Sequence, residues 1–463
     1  MTIERFIESR EPARPDALLG LFAVSTADAV DRQIVQAQAA AGDWVQDAGA
    51  RARGLHAWAN AVEAAADSFA DMVTREVGKP IRESRGEIGR AVAIIRYYAQ
   101  AAYDPIAETF PGSDASVELT VHRRPHGVVS VICPWNFPVA IPAWKIAPAL
   151  AYGNVVLLRP SSQALATATL LERTAAASLP DDVLQLVISD HEGSAALIDD
   201  PRIGAVSFTG SVPVGREIIR RVSGRGAAVQ AEMGGQNASI VLADADLELA
   251  ATTIARAAME YAGQKCTATR RAIVHRSIAS TFIPMLADAV DALRVGQPGD
   301  EATDVGPVIS QPARESVATA LERARKRGAK QLTASVPVAD DGWFVTPTLL
   351  RVDDPDDDFT QAETFGPAAA VLVAESDDQA VKIANATRFG LSAAVFGSDI
   401  SRARSLAARL DAGLQRVNAP TTGVDFYVPF GGEKASGYGP REQGRAAREF
   451  FTHTRTMLVH TPR

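Results

Sequence analysis

The chain has 463 residues, 47% of them apolar and 22% charged, with a formal net charge of −8. That length suits roughly two to four globular domains, and the acidic balance lacks the basic footprint of a general nucleic-acid binder, though a local basic pocket for a small anion stays open. Two cysteines cannot build a disulfide framework or a four-cysteine zinc site, so a reducing, cytoplasmic setting is expected.

The start, MTIERFIESREPARP, carries charges of both signs and no apolar core, unlike a secretory leader. Nowhere is there a run of about 18 apolar residues to cross a membrane. Helical spacing of Ala, Leu, Ile, Glu and Arg predicts helices over 28–45, 50–77 and 82–102, with Gly78-Lys79-Pro80 between the last two. Pro105, Pro111 and Gly112 mark a loop at 103–115, and 117-VELTVHRR-124 alternates as an exposed strand does. From Gly127, β-branched runs at 128–133, 154–159, 184–189, 204–209 and 238–243 alternate with helical stretches, the pattern of a parallel sheet. A second series follows Cys266, with strands at 271–275, 345–350, 369–373, 393–396 and 414–418. Helices at 277–293, 311–327, 376–387 and 399–411 separate them. Two α/β domains joined near 231–236 are expected. The acidic run Asp353–Asp358 reads as a solvated turn rather than a metal site.

Five stretches carry residue types suited to chemistry. In 132-ICPWNFPVAIPAWK-145, Asn136 sits between Trp135 and Phe137, so it is either an Asx-turn residue or a pre-oriented oxyanion donor. In 154-NVVLLRPSSQ-163, Arg159 and small hydroxyls end a strand, where open α/β sheets bind ligands; a surface arginine on a turn is the plainer alternative. In 207-SFTGSVPVG-215, Gly210 and Ser211 start a helix, which suits a phosphate or merely a cap. In 231-AEMGGQN-237, Glu232 is a solvated group or, if burial raises its pKa, a general base. In 260-EYAGQKCTATRR-271, Cys266 lies among polar and positive residues. Lys265, Arg270 and Arg271 are candidates to stabilise its thiolate, whereas Cys133 on an apolar run reads as a small core residue.

PWNFP, WK, GNVVLLRPSS, FTGSxxxG, EMGGQN, GQKC, ETFGP and PFGGEKASGYG occur in an order that resembles the aldehyde dehydrogenase superfamily from about residue 20 to the C-terminus. The resemblance implies an α/β, aldehyde dehydrogenase-like fold with two Rossmann-like α/β domains and a small β oligomerisation flap. The dinucleotide-binding domain would be 1–112 and 127–232, the catalytic domain 233–443, and the flap 113–126 with 444–463. A homodimer or homotetramer follows from the flap, and an N-terminal strand element is expected to be shortened.

It also implies roles. Cys266 is the nucleophile, Asn136 with the Cys266 N–H forms the oxyanion hole, Glu232 activates the deacylating water, and Lys145 contacts the cofactor ribose and assists proton relay. Ser211 and the N–H groups after Gly210 hold the pyrophosphate; Glu363 binds a ribose and Phe365 packs near the nicotinamide. Ile132, Trp135, Arg159, Ser162, Gly215, Met233 and Gly234 complete the expected NADP or NAD site. Arg159 stands where lysine is usual and Ser162 where NAD-preferring members often carry glutamate, which favours NADP. Arg270 stands where serine is common. GQKCTAT and 436-SGYGPREQGRAAREFFT-452 resemble α-ketoglutarate semialdehyde (2,5-dioxovalerate) dehydrogenases, with Lys265 and Arg270 as candidates for the substrate carboxylate. Another short-chain or aromatic aldehyde, a CoA-acylating semialdehyde dehydrogenase and a non-catalytic recruit are the alternatives.

Overall fold

The computed structural model describes residues 5–189 and 194–461. Two mainly parallel sheets dominate it. The first has six strands in the order Gly437–Tyr438, Ala228–Glu232, Ile203–Thr209, Val128–Ile132, Val155–Arg159, Leu184–Leu186, parallel except for the first pair. The second has seven, in the order Lys330–Gln331, Thr348–Arg351, Ala368–Ala374, Thr269–His275, Asn237–Val241, Ser392–Phe396, Leu414–Val417, with only the first pair antiparallel.

Alternating side chains of the second sheet feed two separate cores. Ile240, Ile273 and Leu372 enter one; Val241, Val274 and Val371 enter the other. Strands buried on both faces read as continuous apolar runs, which is why they were legible as 369–373 and 393–396. The expected helix 50–77 is two helices, Ala48–Ala64 and Ala66–Val77, broken at Ala65 and ended by Gly78 in the left-handed conformation, φ 71°. All residues around Ala65 are adequate helix formers, so nothing local announces that break.

Three expectations are corrected. The N-terminal strand element is a full hairpin, Phe6–Glu11 with Arg14–Ala23, tied down by Glu11 accepting from Arg75 at 2.7 Å. The expected loop 103–115 contains a strand, Ala107–Pro111, on the edge of a sheet where proline is tolerated. Ala228–Glu232 is a buried strand that its polar Gln230 and Glu232 disguised; Gln230 accepts from the Ser207 hydroxyl at 3.1 Å. A separate three-stranded antiparallel sheet joins Thr452–His460, Val117–Pro125 and Ala107–Pro111, and includes residues from both stretches of the expected flap. Residues 444–451 form short helical turns whose Phe450 and Phe451 join the core of the first sheet. The acidic run turns at the surface. Asp357 caps the helix Asp358–Gln361 and pairs with Arg327 at 2.6 Å.

Candidate active site

The carboxyl ends of the first sheet face the amino ends of the second. Ile132, Arg159, Thr209 and Glu232 are the last residues of four neighbouring strands. Cys266 lies three residues before the strand Thr269–His275, and Asn237 opens the next strand. Two linkers bring these edges together. One is 233–236; the other is the return of 432–442 from the second sheet to pair Gly437 with Glu232.

Cys266 is half-buried at the junction of two cavities. One, of about 240 Å³, is lined by Trp135, Asn136, Thr209, Gly210, Ser211, Met233, Gly234, Glu363 and Phe365 as well as Cys266. The other, of about 330 Å³, is lined by Glu83, Glu87, Arg90, Phe137, Trp144, Lys265, Phe430 and Cys266 among others. The approach to Cys266 is an unusual backbone. Tyr261, Ala262 and Gly263 are consecutively left-handed, at φ 53°, 50° and 64°. Such conformations disfavour non-glycine side chains and persist where surrounding packing enforces them. Phe365, on the opposite wall, is also left-handed at φ 48° and meets Trp135 edge-on at 5.7 Å.

Asn136 Nδ2 donates to the Gln264 carbonyl at 2.9 Å, while its buried Oδ1 has no partner among the described residues. The carboxamide is thereby fixed with one N–H left to serve the cavity beside Cys266. Asn237, whose role the sequence did not suggest, donates to the carbonyls of both Cys266 and Ala268 at 2.8 Å.

Glu232 is buried, accepts from the Gly432 N–H at 3.0 Å, and is pushed well above the ordinary carboxylate range by burial and by the Glu442 carboxylate. Glu442 is the residue that sequence reasoning missed. It takes the Trp144 indole N–H at 2.8 Å and the Lys145 ammonium, and Lys145 also donates to Ser207 at 2.9 Å. Its only signal was a position in the C-terminal stretch PREQG. Lys145, expected at a cofactor ribose, stands behind the cavity wall with Glu442 rather than lining it.

The three candidate cations near Cys266 are each engaged by other groups, although Arg270 also interacts electrostatically with the Cys266 sulfur. Arg271 donates to the carbonyls of Gln236, Ile383 and Ala384, and Arg270 to those of Gly263, Gly366 and Ala368. Lys265 pairs with Glu83 at 2.6 Å. Burial, with the Glu363 and Glu232 carboxylates, instead pushes the Cys266 thiol up to about 12. Cys133 is buried, with its thiol also pushed up to about 12 by burial.

Among the remaining expected residues, Ser211 begins the helix Val212–Gly224 but its hydroxyl makes no capping bond. Gly210 N–H donates to the Glu232 carbonyl at 3.0 Å, joining the two strand ends. A side chain at Gly234 would run into the Glu363 carboxylate, and Gly235 N–H donates to that carboxylate at 3.2 Å, so these glycines admit Glu363. Gly215 likewise makes room for Met233. Ile132 is buried at its strand end, Arg159 is half-buried beside the Ser189 carbonyl, and Ser162 is exposed beyond it.

The sequence matches the aldehyde dehydrogenase family over residues 2–457. It is 37% identical to the α-ketoglutaric semialdehyde dehydrogenase of Bacillus subtilis, over 98% of this chain and 94% of that one. It is 34% identical to the 2,5-dioxopentanoate dehydrogenase of Saccharolobus solfataricus, over 96% and 94%. The crystal structure of an NAD-dependent aldehyde dehydrogenase from Sinorhizobium meliloti superposes with a TM-score of 0.96 at 32% identity, covering 99% of this chain and 92% of that one. A betaine aldehyde dehydrogenase of Staphylococcus aureus in complex with NAD⁺ gives 0.93 at 28% identity, covering 99% and 92%. The chain belongs to the aldehyde dehydrogenase family and is an oxidoreductase acting on aldehydes.

Proposed function

We propose that this chain oxidises α-ketoglutarate semialdehyde to α-ketoglutarate with NADP⁺ or NAD⁺, NADP⁺ being favoured. The observation that carries the reading is that Cys266 opens onto two cavities at once, one fitted with polar groups and one sized for a small substrate. The names of the Bacillus and Saccharolobus relatives support the substrate.

The first cavity offers groups suited to the nicotinamide end of a dinucleotide. The Thr209 hydroxyl is buried there without a hydrogen-bond partner, and Ser211 leaves the first N–H groups of its helix without a side-chain cap. Those N–H groups, with Gly210, would take the pyrophosphate. Glu363 would take a ribose, Trp135 and Phe365 would flank the nicotinamide, and Met233 and Gly234 would form the wall. Arg159 and Ser162 would meet the adenosine end. When bound, the nicotinamide supplies a hydride acceptor.

The Cys266 thiol loses its proton to solvent, and the sulfur bonds to the aldehyde carbon as the carbonyl π bond opens onto oxygen, giving a thiohemiacetal oxyanion. The oxyanion is held by the free N–H of Asn136 and the Cys266 backbone N–H. After oxidation a thioester remains on Cys266. Glu232 takes a proton from water, the water oxygen bonds to the acyl carbon, and the carbon–sulfur bond breaks to release the acid. Lys145 and Glu442 set the charge behind Glu232 during that transfer. The exposed apolar residues Phe110, Met457 and Leu458 of the three-stranded sheet suit pairing between subunits, so a homodimer or homotetramer is part of the proposal.

The test is formation of reduced cofactor from α-ketoglutarate semialdehyde against pentanal, an uncharged aldehyde of equal length. A large preference for the acid is expected. Equal or reversed rates would discard the substrate and leave the family chemistry standing.

A further inference from the structure

The second cavity holds Lys265, one of the cations the sequence offered for a substrate carboxylate, and adds another, Arg90. The helix Ile81–Ala101 presents Glu83, Glu87 and Arg90 to it, at spacings of four and three residues on one face. Glu83 is neutralised by Lys265 at 2.6 Å. Glu87 is neutralised by the buried Lys79 and also accepts from the Val139 and Ala140 N–H groups at 2.9 and 3.0 Å. Arg90 is different. It is half-buried, lines the cavity, and among the described residues has no hydrogen-bond or ion-pair partner. The neighbouring Arg416 donates to the Gly423 carbonyl, is balanced by the Asp425 carboxylate, and places a like charge near Arg90. A half-desolvated guanidinium without a counterion is costly unless a ligand supplies the anion. The same cavity has Phe137, Trp144 and Phe430 for walls and Cys266 at one boundary.

We propose that Arg90 is the specificity-determining cation that receives the carboxylate of an aldehyde acid whose aldehyde carbon lies at Cys266. The planar guanidinium matches a carboxylate in a two-point bond, and the aromatic walls cover the methylene chain between the two ends. Lys265 and Arg270, the cations suggested by sequence, are already held by Glu83 and by backbone carbonyls. This inference rests on the substrate reading above and names the residue that would enforce it.

Two measurements separate the inference from that reading. The first is the ratio of kcat/KM for α-ketoglutarate semialdehyde to that for pentanal, in the wild type, Arg90→Gln and Arg90→Lys. The ratio is expected to fall about 10- to 100-fold in Arg90→Gln and to recover in part in Arg90→Lys, the range set by losing a charge-assisted hydrogen bond. The second needs no turnover. Glutarate should protect Cys266 from iodoacetamide in the wild type, and its half-protecting concentration should rise at least about tenfold in Arg90→Gln. A ratio and a protection curve unchanged by Arg90→Gln overturn the inference. A wild type that ignores the carboxylate of the semialdehyde, yet whose glutarate protection depends on Arg90, overturns the substrate and retains the anion site.

Discussion

The carboxamide of Asn237 donates to the carbonyl oxygens of Cys266 and Ala268, both at 2.8 Å, and its own oxygen accepts from Ser392 N–H at 2.9 Å. One buried side chain thus ties the nucleophile loop to the edges of two strands. Replacing it by alanine leaves two carbonyls and an N–H without partners. Asn237→Ala should lower stability by about 1–3 kcal/mol and shift the sulfur. Small displacements of a reacting atom cost up to about 100-fold in rate. Urea unfolding and kcat, measured together, check this. Full stability with full activity would show that the loop holds itself.

Asn136 donates one amide hydrogen to the Gln264 carbonyl, which leaves the other for the oxyanion of the proposed reaction. Asn136→Ala should reduce kcat about 100- to 1000-fold, the usual cost of one oxyanion donor. Single-turnover kinetics should show the loss in the first hydride step. A defect confined to KM would mean that the amide only shapes the cavity.

Glu232 is held well above the ordinary carboxylate range by burial and by Glu442, with the Gly432 N–H, Lys145 and Arg441 opposing. A raised pKa keeps the carboxyl protonated to higher pH, so the base form appears as pH rises. Where hydrolysis of the thioester limits turnover, kcat should therefore climb with pH above the normal carboxylate range and then level off. Glu232→Gln should give one burst of reduced cofactor per site and stall. Sustained turnovers by that variant would remove Glu232 from the deacylation step.

Cys266 is predicted to be a slow nucleophile in the protein alone. Its thiol is pushed up to about 12 by burial, Glu363 and Glu232. Below that value the thiolate fraction grows about tenfold per pH unit, so alkylation by iodoacetamide should accelerate by that factor between pH 7 and 9. Glu363→Gln removes one carboxylate that opposes the thiolate and should speed the reaction. Cys266→Ala should abolish both the adduct and turnover, and Cys133 should stay unmodified in the folded protein. A pH-independent rate would mean that the thiolate is already present.

Sequence patterning reached most of the parallel sheets because their strands, buried on both faces, are short apolar runs such as 128-VVSVI-132 and 369-AAVLV-373. It missed Ala228–Glu232, whose buried polar side chains are satisfied only by partners distant in sequence, Gln230 by Ser207 and Glu232 by Gly432. The residues around the nucleophile followed the same rule. Asn136, Glu232 and Cys266 lay in recognisable stretches and converge in space. Glu442 became visible only when its segment returned to the first sheet, and Arg90 only when its neighbours Glu83 and Glu87 proved to be paired. Side-chain direction is the information that adjacency in sequence lacks: Arg270 and Arg271 are neighbours in the chain, yet each is held by a different set of backbone carbonyls.

On the proposed reading, cofactor choice turns on the end of the strand Val155–Arg159. Arg159 is half-buried beside the Ser189 carbonyl at 3.4 Å, and the exposed Ser162 follows on the next turn. A 2′-phosphate arriving there would meet a guanidinium and a small hydroxyl, with no carboxylate supplied by position 162. Ser162→Glu would add a like charge, and repulsion between two anions at partly exposed sites is strong enough to discriminate even through solvent screening. The ratio of kcat/KM for NADP⁺ to NAD⁺ should therefore exceed one in the wild type and fall at least about tenfold in Ser162→Glu. Raising the salt concentration should shrink that difference, since the repulsion is screened. A wild type that strongly favours NAD⁺ would overturn the assignment of the 2′-phosphate to Arg159 and Ser162. A ratio that falls in Ser162→Glu but ignores salt would point to steric exclusion by the longer side chain instead.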